Sequence, residues 1–232
     1  MPRAETIKKN AADIKKWSLL IKGASITLMT SILLVSVIYL VSFFYDRYSS
    51  FSVSVNKNDM VKQGLTLSET GEFDKPIARL DADAIKDCTN ISGDNLPENI
   101  DMINGEHSGS DYLAYTFYLK NTGEDTLTYK YSITISNVTL NVDAAIRCRL
   151  YVNGESFTYA KTKDDGSGPE NNTEEFLTLS TITEKYIRNF KPGDQTKFTV
   201  VFWLEGDDPE CVDSIIGGRF KSDMKISIVE GS

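Results

Sequence analysis

Four carboxylates and a thiol crowd the stretch E-G-D-D-P-E-C, Glu205 to Cys211, directly after the apolar run F-T-V-V-F-W-L. Two chemistries fit those residue types. Hard cations such as Ca²⁺ take roughly six to eight oxygens from carboxylates and backbone carbonyls, so Glu205, Asp207 and Asp208 form a candidate Ca²⁺-type site. The spacing does not match the acidic loop of an EF-hand. The other reading is structural. Asp208 is placed to cap a helix N-terminus, with Pro209 as the first helical residue and Glu210 facing the positive end of the helix dipole. The short helix C-V-D-S-I-I would then stop at Gly217-Gly218. Both readings stay open on sequence alone.

The rest of the inventory excludes most catalysis. One histidine, His107, sits in the loop G-E-H-S-G-S-D and reads as an exposed loop residue. A single histidine supplies neither H-E-x-x-H nor a histidine-rich zinc site. No G-x-S-x-G, Walker A or G-x-G-x-x-G motif occurs. No catalytic residue is therefore assigned. The three cysteines, Cys88, Cys148 and Cys211, form no C-x-x-C. An odd number leaves at least one unpaired within the chain. Cys148 alternates onto an inward strand face, which leaves Cys88–Cys211 as the candidate disulfide. The sequons at Asn90, Asn137 and Asn171 matter only in a glycosylating secretory pathway.

What must carry these residues is legible from charge and hydropathy. The net charge is −8. Residues 1–45 hold six Lys/Arg (Arg3, Lys8, Lys9, Lys15, Lys16, Lys22) and two acids (Glu5, Asp13), a net of +4, which leaves −12 for the remainder. That acidity argues against a nucleic-acid partner, because phosphates repel carboxylates. Gly23 to Tyr45 carries no charge. As a helix it reaches about 34 Å, against a hydrocarbon core of about 30 Å. Aromatic residues gather at its far end (Tyr39, Phe43, Phe44, Tyr45, Tyr48), as in an interfacial belt. No small-residue cleavage site follows, so the segment reads as an uncleaved signal anchor. Basic residues precede it, which puts the N-terminus in the cytoplasm and the rest outside the cell membrane. Gly23, Thr27 and Ser31 recur every fourth residue, a small face suited to packing against another helix. Ile7, Ala11, Ile14 and Trp17 make a weak apolar stripe beside lysines, which suits a membrane-lipid surface.

The expected organisation is 1–22 a cytoplasmic basic segment, 23–45 the transmembrane helix, 46–80 a stalk and first strand, and 81–232 an extracellular β-sandwich. Period-two alternation marks F-S-V-S-V (51–55), Leu113/Tyr115/Phe117/Leu119, and Leu127/Tyr129/Tyr131/Ile133/Ile135. It recurs in Ile146/Cys148/Leu150/Val152, with Arg147 and Arg149 on the other face, and Asn153-Gly154 is a two-residue hairpin signal. T-E-E-F-L-T-L-S-T-I-T-E-K-Y-I-R-N-F is ambiguous between short helix and irregular chain. T-K-F-T-V-V-F-W-L-E reads as a central strand and M-K-I-S-I-V as the last. The fold class is mainly β, an antiparallel jelly-roll or immunoglobulin-like sandwich after one N-terminal transmembrane helix.

Two of these stretches, Y-T-F-Y-L-K-N-T-G-E-D-T-L-T-Y-K-Y-S-I-T-I and K-P-G-D-Q-T-K-F-T-V-V-F-W-L-E-G-D-D-P-E-C, resemble the camelysin/TasA-like surface proteins of Firmicutes. The outer region as a whole is also similar to uncharacterised single-pass membrane proteins of gut Clostridia. The resemblance covers roughly 110–229 and implies an extracellular β-sandwich on a Gram-positive surface. Some members build biofilm fibres, and others were assigned metalloprotease activity. No zinc motif is present here to carry the latter over, and the anchor departs from the family's cleaved export signal. The resulting expectation is a non-enzymatic surface protein for adhesion, assembly or matrix interaction. Its partners would be lipid, other surface proteins or further copies of itself. The alternative is an accessory subunit of a conjugation or secretion complex.

Overall fold

The computed structural model describes residues 2–46, 50–85 and 87–229, with side chains described from Ile14 to Val41 within the first stretch. The chain divides into two compact units, Met1–Tyr48 and Ser49–Ser232. The first is one helix, α1 (Pro2–Asp46). Over Ile14–Val41 it is long and apolar enough to cross a membrane, and all its described side chains are exposed. Thr27 donates to the Gly23 carbonyl at 2.9 Å and Ser31 to the Thr27 carbonyl at 2.9 Å. The small face Gly23/Thr27/Ser31 therefore presents no unsatisfied hydroxyl. The side chains of Arg3, Ile7, Lys8, Lys9, Ala11, Phe43, Phe44, Tyr45 and Tyr48 lie outside the described residues.

The second unit is two packed sheets. Its strands are β1 (Phe51–Val55), β2 (Leu65–Ser68), β3 (Arg79–Ala82), β4 (Gly105–Glu106), β5 (Tyr112–Asn121), β6 (Leu127–Val138) and β7 (Ile146–Val152). There follow β8 (Glu155–Ala160), β9 (Glu174–Glu175), β10 (Thr181–Phe190), β11 (Gln195–Leu204) and β12 (Phe220–Ile228). A short helix, α2 (Lys57–Gln63), joins β1 to β2. One sheet runs β10-β6-β12-β1-β3; the other runs β2-β5-β11-β7-β8-β9, with β4 on the edge of β5. The sheets are mixed, not purely antiparallel: β1 pairs parallel with β12, and β8 with β9. Period-two alternation reports which face a residue takes but not the direction of its neighbour, so the parallel pairs leave no mark on the sequence.

Inward residues meet as a layer of rings. Phe117 stacks on Phe198 at 5.2 Å, and Tyr131 meets Phe198 edge-on at 5.2 Å. Each fully buried ring contributes about 2–3 kcal/mol. The ambiguous segment 173–190 resolves into β9 and the long edge strand β10. Of residues 46–80, expected as a stalk and first strand, those from Phe51 onward build into the sandwich: Phe51, Val53, Leu65 and Leu67 are fully buried. The continuous apolar run of β11 has a cause. Phe198, Val200 and Phe202 face the core, while Val201 and Trp203 pack outward under Leu96 and Ile100 of the 86–111 segment.

Candidate functional site

The acidic stretch leaves β11 and is pinned at once. Glu205 N–H donates to the Ala145 carbonyl at 2.9 Å, and Gly206 N–H to the Ile91 carbonyl at 3.0 Å. Glu205 Oε2 then accepts from the indole Nε1 of Trp203 (2.9 Å) and from Gly93 N–H (3.1 Å). Its carboxylate is spent on holding the 92–94 turn against the sheet.

Asp208 goes elsewhere. Its side chain is almost fully buried and forms an ion pair with Arg147, which is equally buried. Alternation places Arg147 on the outer face of β7, and the 205–211 loop folds over it. The other Asp208 oxygen accepts from Glu210 N–H at 2.8 Å, and Cys211 N–H donates to the Asp208 carbonyl at 3.0 Å. This corrects the expected cap at Asp208 and Pro209. Asp208 closes an isolated turn, and the only helical residues of the segment are a 3₁₀ turn at Asp213–Ile215 that starts after Val212. Its second oxygen still accepts a backbone N–H two residues on, as an N-cap does, but the chain turns there without continuing into a helix.

Burial by itself would raise the Asp208 carboxyl. The hydrogen bonds from Glu210 and the Arg147 guanidinium outweigh it and hold Asp208 below the usual carboxylate range. Glu210 is pushed the other way, first by its hydrogen bond to Asp208. Glu210 also accepts from Asp164 N–H at 3.1 Å, which ties down the 161–173 loop. Glu170 on that loop pairs with Lys163 at 3.3 Å, while its Oε1 is buried without a hydrogen-bond partner.

The expected Ca²⁺-type trio, Glu205, Asp207 and Asp208, does not converge. Glu205 points to Trp203 and Gly93, and Asp208 to Arg147. The carboxylates that do gather are Glu170, Asp208 and Glu210, with oxygens within 4.8 Å of one another. Glu170 was missed in the sequence because it lies in a polar loop nearly forty residues upstream. Three carboxylates do not establish Ca²⁺, which takes roughly six to eight oxygens. Here the guanidinium of Arg147 already supplies a cation to Asp208.

Beside the ion pair lies a recess of about 290 Å³, lined by Arg147, Arg149, Trp203, Glu170, Asp207 and Asp208 among others. The Arg149 guanidinium sits over the Trp203 ring, its Cζ 5.1 Å from the centroid, and its Nε donates to Thr158 at 3.0 Å. Trp203 itself is only 3% exposed, so its face is covered. The recess is polar and of mixed charge. It can bind a hydrogen-bonding group.

The remaining expected site residues are apart from it. Cys88, Cys148 and Cys211 are all free thiols. The candidate Cys88–Cys211 disulfide is not formed: Cys88 is exposed, and Cys211 Sγ accepts from Asn90 Nδ2 at 3.4 Å. Cys148 is fully buried, which drives its thiol well above its ordinary range. His107 is half-buried rather than exposed. Its ring nitrogens meet the carbonyls of Gly105 (2.9 Å) and Ile100 (2.7 Å), so it braces the 100–107 segment.

No protein-family model matches the chain, and no curated protein matches it. Solved structures match in part. A GH31 α-xylosidase from Xanthomonas citri aligns at 10% identity over 68% of this chain, with a TM-score of 0.25. A β-glucosidase from Kluyveromyces marxianus aligns at 12% identity over 69%, with a TM-score of 0.22. The chain spans 13% and 15% of those two proteins. The N-terminal domain of PorA aligns at 6% identity over 55% of this chain and 84% of its own length, with a TM-score of 0.21. Similarity this low carries no argument about activity.

Proposed function

We propose that the protein is a single-pass membrane protein that displays its β-sandwich outside the cell for a non-enzymatic role in adhesion, assembly or matrix interaction. One observation carries the reading: a helix long enough to span a membrane precedes, by only residues 47–50, a closed sandwich with its own core. The basic residues support the orientation, since Arg3, Lys8, Lys9, Lys15, Lys16 and Lys22 precede the apolar segment and only Arg47, Lys57 and Lys62 follow it within about 20 residues. The polar recess beside Arg149 offers hydrogen-bonding groups of both charges, which supports recognition of a polar ligand.

Topology is tested at Cys88, the exposed thiol. A membrane-impermeant maleimide applied at mildly alkaline pH should label it in intact cells. Labelling only after permeabilisation would reverse the orientation. The role is tested with the full chain in nanodiscs, incubated with cell-envelope polymers and with further copies. Retention of a polymer or ordered self-association is expected. Absence of both, or chelator-sensitive casein cleavage, would overturn the non-enzymatic surface role.

A further inference from the structure

We propose that the end of the sandwich at which β1 begins rests on a lipid surface, with aliphatic side chains on three loops entering its interfacial layer. This deepens the membrane-anchored reading and depends on it.

The two ends of the sandwich differ in what their loops expose. β1 and β12 are parallel, and both start at one end: Phe51 is level with Ser222, and Ser222 N–H donates to the Ser50 carbonyl at 3.0 Å. β6 finishes there, with Val138 opposite Phe220. Five segments leave the strands at this end, since β3 and β8 also finish there, and three of the five carry strongly exposed aliphatic side chains. The 139–145 loop carries Leu140, 55% exposed. The 205–219 loop carries Ile216, 73% exposed, with Val212 half-exposed nearby. The hairpin between β9 and β10 carries Leu177 and Leu179, 61% and 82% exposed.

The loops are held together. Thr139 N–H donates to the Arg219 carbonyl at 3.0 Å, and Arg219 N–H to Thr139 Oγ1 at 2.8 Å. Ile135 N–H donates to the Ser180 carbonyl at 2.8 Å, which hangs the hairpin on β6. The opposite end is closed by the turns N-T-G-E-D, N-G and K-P-G-D and by α2. Among its described residues Val61 is the one strongly exposed aliphatic.

Exposed aliphatics elsewhere in the second unit are few, Val61 at the opposite end and Met102 and Ile103 on the turn over the outer sheet face, whereas five loop side chains gather at this end. The occupant follows from the chain. The end that bears these side chains is the end the chain enters, with only residues 47–50 after the apolar helix. Aliphatic tips interspersed with hydroxyl residues (Thr139, Thr178, Ser180, Ser214) and charged ones (Asp213, Arg219) suit a zwitterionic headgroup boundary, where apolar groups sink and polar groups stay hydrated. A protein partner would be met by a flat, continuous patch.

The test places nitroxide labels on the full chain in phosphatidylcholine nanodiscs holding one copy each. Cys88→Ser and Cys211→Ser leave only the buried Cys148, and single cysteines are introduced as Leu179→Cys, Ile216→Cys, Val61→Cys and Leu34→Cys. Collision with apolar oxygen and with a water-soluble nickel chelate reports depth. The Leu179 and Ile216 labels should favour oxygen, with nickel access about threefold below that at Val61. Nickel access equal to that at Val61, while Leu34 reports lipid, overturns the proposal and leaves the anchor standing. Shielding seen only in discs loaded with two copies, with spin–spin broadening, assigns the end to a second copy and also overturns it. A water-like Leu34 label removes the anchor itself.

Discussion

Breaking the Arg147–Asp208 pair should be among the most damaging single changes in the second unit. The two side chains are 3% and 2% exposed. Removing one charge strands the other in a medium that solvates it poorly, at a cost of about 3–5 kcal/mol. Asp208→Asn isolates that effect, because the amide oxygen can still accept from Glu210 N–H. The expected loss is about 3 kcal/mol, a melting shift of roughly 6–12 °C for a unit of this size. The assay is thermal and urea unfolding of the full chain in nanodiscs, with Trp17→Phe so that Trp203, packed under Arg149, alone reports. The pH dependence fixes the sign. Asp208 is held low in the folded state, so its contribution is complete above about pH 4 and is lost as pH falls through the folded value. The gap between Asp208→Asn and the parent must therefore narrow in acid. Arg147→Met combined with Asp208→Leu should recover much of the loss, since an apolar pair strands no charge. A single variant within about 0.5 kcal/mol of the parent, or a double variant whose losses simply add, would refute the clamp.

Glu210→Gln should stabilise slightly at neutral pH and lose that advantage in acid. Glu210 is held high beside Asp208, so its ionisation weakens the fold as pH rises through the carboxyl range; acid and neutral melts of the two proteins compare directly. Gly64→Ala should cost more than about 2 kcal/mol in urea unfolding, because Gly64 has φ +72° and its Cβ would lie 2.3 Å from Gly123 N. Asn121→Ala should cost about 3 kcal/mol. This fully buried amide donates to the carbonyls of Asp125 (2.8 Å) and Phe190 (3.0 Å) and accepts from Gly123 N–H (3.0 Å). Alkylation of Cys88, an exposed but partly desolvated thiol, should still be climbing at pH 9, since that desolvation and then the Asp111 carboxylate raise it. Cys148 should react only on unfolding.

Strands covered on one face were readable from their alternation: β5, β6 and β7 appear where Tyr115, Tyr131 and Cys148 point inward. The Asn153-Gly154 turn was equally plain, and both residues take the positive φ that such hairpins need. β10 was not readable, because its outer half, E-K-Y-I-R-N, is an exposed edge whose polar residues interrupt the period. The alternation of F-S-V-S-V marks β1 as a strand, but nothing in it shows that the strand joins the sandwich. Its partner β12 lies some 170 residues away in sequence, and no local pattern announces a parallel pairing across that distance.

The same distinction governs the acidic stretch. Composition identified a charged segment correctly but could not say which charge would be buried, because the answer lies on another strand. Arg147 alternates outward and reads as solvent-facing. Only when β7 lies beside β11, with Arg147 opposite Trp203, does the 205–211 loop have a guanidinium beneath it to close upon. Once Asp208 descends to that cation, Glu205 is left at the rim to hold Trp203 and Gly93, and Glu210 is drawn against Asp208. A segment that advertises a cation site is thereby satisfied by a cation the protein carries in its own sheet. Glu205 and Asp207 are then left to line the recess they share with Arg149.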